Sequence, residues 1–98
     1  MKAREAVETW VKQQTVGIEF NIIEFKTQSG SLNIKGYAIR SYDAKIAEAG
    51  QHRIFTTNIK YSRTTSKYVS YIERALRKEG WEVVEESESD LVKTWRQA

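Results

Sequence analysis

Apolar residues recur at three- and four-residue spacing at Ala3, Ala6, Val7, Trp10 and Val11. That period predicts a helix over residues 2–14 with a narrow buried stripe and Trp10 as its anchor into the core. Lys2, Arg4, Glu5, Glu8 and Lys12 fall largely outside the stripe. From Val16 the period changes to two. Val16, Ile18, Phe20 and Ile22 share one face and Ile23 and Phe25 the other. Residues 16–26 therefore predict a strand that is bulged at Ile22-Ile23 or covered on both sides. "TQSGS" is a turn signal, with Gly30 able to take positive φ. "LNIKGYAI" reads as the return strand, and Gly36 in its middle marks a bulge or a close backbone approach.

"SYDAKIAEAG", residues 41–50, has a helical composition, yet Tyr42, Ala44 and Ile46 alternate as in a strand. "RIFTTNIKY" predicts a strand with Phe55, Thr57, Ile59 and Tyr61 on one face. If 41–48 is also a strand, Ala49-Gly50-Gln51 is the turn between the two. Residues 65–79 carry the best helical pattern, with Tyr68, Val69, Ile72, Ala75 and Leu76 as the buried stripe. Thr65 or Ser66 is the expected N-cap. Arg77 and Lys78 complement the dipole in the last turn, Glu73 and Arg77 form an i,i+4 pair, and Gly80 suits the C′ position. "WEVVEE" predicts a strand and "SESD" a turn; Val92, Thr94 and Trp95 favour a strand over 91–97.

Together these elements predict a single α+β domain over residues 1–98. It consists of an N-terminal helix, an antiparallel sheet of about four strands, a second helix and a C-terminal β-hairpin. Both helices are expected on one face of the sheet, with Trp10, Phe20, Ile22, Ile59, Ile72, Leu76 and Trp81 in the core. Lys35, Tyr37 and Ile39 are expected on the other, half-solvated face.

Composition adds bounds. Ninety-eight residues with 40% hydrophobic and 11% aromatic content make one globular core. Cysteine is absent, which removes disulfides, thiol nucleophiles and Cys-based metal sites and fits a reducing cytoplasm. The charged N-terminal stretch lacks the apolar core of a signal peptide, and no apolar run reaches the length of a membrane span. A cytoplasmic protein, in the host cytoplasm if viral, is the expectation.

The charge is uneven. Net charge is +3, yet residues 53–78 hold seven basic side chains against Glu73 alone, and residues 79–98 hold six acidic against Lys93 and Arg96. Lys67, Tyr71, Arg74 and Lys78 fall at i, i+4, i+7 and i+11 and form one continuous stripe beside the buried face. Arg63 stands just before the helix and Lys60 on the preceding strand. These six residues are the candidate partner-binding surface. A helix start with free amides, hydroxyls and lysines suits phosphate, and a tyrosine can stack on a base. An ordinary solvated helix face has the same composition.

Catalytic signals are thin. His52 is the only histidine and sits beside a turn. Glu85, Glu86, Glu88 and Asp90 lack the spacing and glycine of a calcium loop and suit a solvated turn beside an edge strand. Phosphate-loop, nucleophile-elbow and paired-histidine motifs are missing. The expectation is a non-enzyme without metal or cofactor.

Two resemblances bear on this. The order helix, strands, helix resembles the double-stranded RNA-binding domain, whose second helix opens with a serine- and lysine-rich stretch. Ser66 and Lys67 match; Tyr68 and Tyr71 stand in place of later lysines, and the glycines before the helix are missing. More specifically, two stretches resemble small phage-encoded proteins of unassigned function that run Ser-Tyr-x-Thr-x-Ile/Val-Ala and then Tyr-Ser-x-Thr-Thr-Ser-x-His at a helix start. Ser41, Tyr42, Ile46 and Ala47 match the first motif, and Tyr61, Ser62, Thr64, Thr65 and Ser66 the second. Ala44 and Tyr68 depart where the motifs have threonine and histidine. The likeness covers under a third of the chain.

The resemblance implies a viral or mobile-element origin and a strand over 41–48, and supplies no activity. It implies a small accessory protein that binds and modulates a host macromolecule, such as a nuclease or a CRISPR defence complex. The expected partner is then a host protein or nucleoprotein complex. The alternative is direct nucleic-acid binding through the second helix. The motif hydroxyls also have a structural reading, as caps and turn bonds of a strand-to-helix joint.

Overall fold

Both helical stripes form as their spacing dictates. A computed structural model describes residues 1–16, 23–85 and 90–97. Helix α1 spans Ala3–Val16 and buries Ala6, Val7, Trp10 and Val11. Val16, expected to begin a strand, is the last residue of this helix. The remainder of the expected first strand, including Phe20 and Ile22, lies mostly outside the described residues. Its end forms the short β1, Phe25–Lys26. Ile23 and Phe25 pack half-buried against the core. Helix α2 spans Arg63–Lys78 and buries Thr65, Tyr68, Ile72, Ala75 and Leu76.

The strands between the helices form a meander of β1, β2 (Asn33–Lys35), β3 (Ala38–Ser41), β4 (Ala44–Gly50) and β5 (Arg53–Thr57), each antiparallel to the next. After α2 come β6 (Trp81–Val83) and β7 (Val92–Gln97). The sheet has seven strands in the order β1-β2-β3-β4-β5-β7-β6, with the closing hairpin hydrogen-bonded to β5 through β7. The α+β class stands, while the expected four strands become seven because residues 32–39 form two strands and the closing pair joins the same sheet. The two strands after α2 depart from the element order of the double-stranded RNA-binding domain.

The largest correction concerns Gly36. The single strand expected over residues 32–39 is two strands. Lys35 pairs with Ala38, which leaves Gly36-Tyr37 as a two-residue loop. Gly36 has φ +61, a left-handed conformation that glycine adopts without a Cβ penalty and that this hairpin needs at its first loop position. The turn resets the alternation. Ile34 now sits opposite Ile39, and both are fully buried. Ile39 is therefore a core residue, while Lys35 and Tyr37 are exposed as expected.

Residues 44–50 form a strand, and the next turn is Gln51-His52 rather than Ala49-Gly50-Gln51, since Gly50 pairs with Arg53. A bulge where β3 meets β4 leaves Ile46 without a partner between Lys45 and Ala47, and both Ile46 and Ala47 are buried.

The core lies between the helices and one face of the sheet. Contacts of α2 with β4, β5 and β6 and of α1 with β2 put both helices on that face. Trp10, Ile72, Leu76 and Trp81 are buried as expected. Trp10 donates its indole N–H to the Gly36 carbonyl at 3.0 Å, so α1 is tied to the first hairpin. Trp95 donates to Thr56 Oγ1 at 2.8 Å, a bond buried within the sheet's inner face. Arg77 lies 5.4 Å over the Trp95 ring, and Glu73 takes Arg77 at 3.6 Å and Lys93 at 3.4 Å. These contacts hold α2 across β7.

Ile59 is not a core residue; it is 41% exposed. The apolar row Phe55, Thr57, Ile59 and Tyr61 does share one side, but it is the side away from the helices. Ile54 and Thr56 are the buried residues of β5, and strand pairing ends at Thr57.

Candidate functional site

The motif hydroxyls are built into the fold. Ser62, not Thr65 or Ser66, is the N-cap of α2: its Oγ accepts from the Thr65 backbone N–H. The cap comes three residues earlier than Thr65 because the helix starts at Arg63, where the chain has already turned off β5. Thr65 Oγ1 in turn lies 2.7 Å from Ser41 Oγ and 3.3 Å from Ser62 Oγ. Ser41 and Thr65 are both buried. This latch joins the two motif halves, 24 residues apart in sequence, and pins the start of α2 to the end of β3. Beside it, Tyr42 takes φ +54 in the loop after Ser41 and donates its N–H to the Ser31 carbonyl at 3.2 Å.

A second hydroxyl set lies further along α2. Tyr68, at the position where the resembling motif has histidine, places its hydroxyl 2.8 Å from Ser31 Oγ. Ser31 Oγ is also 3.1 Å from Thr27 Oγ1 and 2.9 Å from Ser29 Oγ. No buried side-chain polar atom is left without a partner among the described residues. These groups are engaged internally, which is a structural duty.

The six expected partner-binding residues do not form one site. Lys67, Arg74 and Lys78 are exposed in line along α2, with Tyr71 among them half-buried against the core. Tyr71, Arg74 and Lys78 border a groove of about 130 Å³ between the helices, whose other wall is Arg4 and Glu8 of α1. Arg4 lies 3.8 Å from Glu8; the arginine is exposed and the glutamate half-buried. Lys67 holds its ammonium 5.4 Å from the centre of the Tyr68 ring, and Tyr68 meets Tyr71 edge to face at 6.2 Å. Arg63 is exposed at the start of α2. Lys60 is set apart, at the rim of a polar recess between the β5–α2 connection and α2.

Sequence spacing could not supply Arg4. It reaches the stripe only because α1 packs beside α2. A basic residue just off the apolar stripe of α1 was the available signal, since such a position flanks the neighbouring helix.

The larger cleft is on the opposite side of the molecule. About 280 Å³ in volume, it is lined chiefly by Lys45, Glu48, Phe55, Ile59, Tyr61 and Leu91. Phe55 is 37%, Tyr61 41% and Leu91 58% exposed. Lys45 Nζ bonds Glu48 Oε2 at 2.7 Å on its rim. The volume is just under the roughly 300–1,000 Å³ usual for small-molecule sites, so it suits one planar ring or side chain better than a cofactor.

His52 sits exposed in its turn with φ +59. Of the acidic cluster, Glu86 and Glu88 lie outside the described residues, while Glu85 and Asp90 are exposed. Among the described residues, no group of three or more histidine or carboxylate side chains is placed to hold a metal ion, and no helix is long and apolar enough to cross a membrane.

Residues 5–90 match a family of unknown function. No curated protein and no solved structure matches the chain.

Proposed function

We propose a function from the surface chemistry, because the chain belongs to a family of unknown function, DUF8033, and membership brings no activity with it. The protein is a non-enzymatic binding module that contacts nucleic acid directly, along the phosphate backbone, with the exposed flank of α2. The observation that carries this reading is the groove where Arg4 joins Tyr71, Arg74 and Lys78. Lys67 extends the cationic line by two helical turns from Arg74. Cations spread along about three turns of helix track a line of phosphates better than they enclose one small anion.

Such a module modulates a host nucleoprotein complex by competing for its nucleic acid. The motif resemblance supports a phage or mobile-element source, for which a nuclease or a defence complex such as CRISPR is the kind of target. A host protein bound in place of nucleic acid is the rival outcome.

The test is fluorescence anisotropy with labelled duplex DNA and RNA, on the wild type and a Lys67→Gln/Arg74→Gln/Lys78→Gln variant. If three phosphates are contacted, the duplex DNA affinity should fall about 40-fold between roughly 50 and 200 mM salt, from a slope near −0.9 per contact. The variant should bind weakly and lose most of that slope. An unchanged affinity in the variant, or no binding of either duplex at low salt, would sink the reading.

A further inference from the structure

Alternation and register sort the strand residues into two faces, and the face away from the helices is strongly basic. Lys26, Lys35, Arg40, Lys45, Arg53 and Arg96 point outward, against Glu48 and Glu82. All eight are exposed. An excess of four positive charges on one face exceeds the net +3 of the whole chain. Glu48 is already bonded to Lys45, which softens its repulsion of an anion.

Within this face Phe55 occupies the middle. Its cross-strand neighbours are Glu48 and Thr94. The outward row on one side is Arg53 and Arg96, which face each other across β5 and β7. The row on the other side is Thr57 and Val92, leading into the cleft walled by Ile59, Tyr61 and Leu91. The Phe55 ring, which rests against Gly50 and stays part-exposed, thus has the arginine row on one side and an apolar slot with a second aromatic on the other.

We propose that this face is a platform for single-stranded nucleic acid, with the backbone along the cationic rows and a base stacked on Phe55 and inserted into the cleft beside Tyr61. Charge complementarity points to a polyanion. The exposed aromatic and ring-sized slot point to unpaired bases, because a duplex hides the flat faces that stacking needs. Stacking is tolerant of sequence, so no base preference is required. The proposal extends the nucleic-acid reading of the helix flank to a second surface and to the single-stranded form.

The experiment measures anisotropy of fluorescein-labelled oligo(dT), oligo(U) and duplex DNA of equal length, with wild-type protein, Phe55→Ala, Phe55→Tyr, Arg53→Gln/Arg96→Gln and the triple helix variant. Circular dichroism checks that each variant is folded. Phe55→Ala should weaken single-strand binding roughly ten-fold, within the range of one stacked base, and leave duplex binding within about two-fold. Phe55→Tyr keeps the ring and should bind near wild-type level. Arg53→Gln/Arg96→Gln should lower the single-strand salt slope by about 1.4, for two contacts at roughly 0.7 each. These two variants carry the test if Phe55→Ala does not fold.

The proposal is overturned if wild-type protein ignores both single strands at low salt, or if losing the Phe55 ring and the two arginines changes nothing. Duplex binding lost only in the helix variant, with single-strand binding untouched by the sheet variants, removes the platform and leaves the helix reading intact. Single-strand binding lost only in the sheet variants, with no duplex bound at low salt, does the reverse. A host protein captured by the sheet face, with no nucleic acid bound, removes both.

Discussion

Thr65→Val should destabilise the fold by about 2 kcal/mol, and about 0.5 kcal/mol of that loss should return when Ser41 is removed as well. The Ser41 and Thr65 oxygens lie 2.7 Å apart, with the two residues 1% and 3% exposed. Valine keeps the shape of threonine and the backbone N–H that Ser62 caps, so the change deletes one hydroxyl. A buried hydrogen bond contributes about 1 kcal/mol net, and a buried hydroxyl left without a partner costs about 1–3 kcal/mol. Thr65→Val leaves Ser41 in that state, hence about 2 kcal/mol. Ser41→Ala is milder, about 1 kcal/mol, because Thr65 Oγ1 keeps Ser62 Oγ at 3.3 Å. The double variant orphans nothing and should cost about 1.5 kcal/mol, half the sum of the singles. The coupling is then about 1.5 kcal/mol, well above the ~0.3–0.5 kcal/mol scatter of independent sites. Urea unfolding followed by tryptophan fluorescence measures it, since Trp10, Trp81 and Trp95 are all buried and report global unfolding. In thermal melts Thr65→Val should lower Tm by about 10 °C for a domain of this size. Additive single effects, or a Thr65→Val loss below about 0.5 kcal/mol, would refute the latch.

Two further substitutions test the same framework. Ser62→Ala removes the cap of α2 and should cost about 1 kcal/mol in urea unfolding, whereas Ser62→Asp keeps an accepting oxygen at the helix start and should be nearly neutral. Trp95→Phe removes the donor to the buried Thr56 hydroxyl and should cost about 2–3 kcal/mol; adding Thr56→Val should recover about 1 kcal/mol of it, read from the shift in urea midpoint.

The helices were legible because their burial depends on spacing within one segment. Ala6, Val7, Trp10 and Val11, and Tyr68, Ile72, Ala75 and Leu76, are set by the 3.6-residue period alone. The strands were harder because alternation reveals two faces without saying which is covered. Phe55, Ile59 and Tyr61 are more apolar than Ile54 and Thr56 taken together, yet the helices cover the second pair. Thr56 is tolerated inside because Trp95 supplies its hydrogen bond, a partner 39 residues away. Gly36 misled for a related reason. Its loop holds no polar turn cluster, so alternation reads straight through it and puts Ile39 on the wrong face. The α2 side of the helix-flank site was legible from the spacing of Lys67, Tyr71, Arg74 and Lys78. Arg4 and the sheet face were not, because both are created by packing between distant segments.

The sequence signature and the two proposed binding surfaces occupy different parts of the molecule, and the chemistry of the signature explains why. Ser41, Ser62 and Thr65 spend their side-chain donors and acceptors on one another and on the first turn of α2. A ligand that engaged the buried Ser41–Thr65 pair would have to break a 2.7 Å bond and replace it, for little net gain. Tyr68 is committed in the same way to Ser31. In this chain the motif therefore marks a way of joining a hairpin to a helix. The groups that the joint leaves free include the cations along α2 with Arg4, and Phe55 with the arginine row beside it.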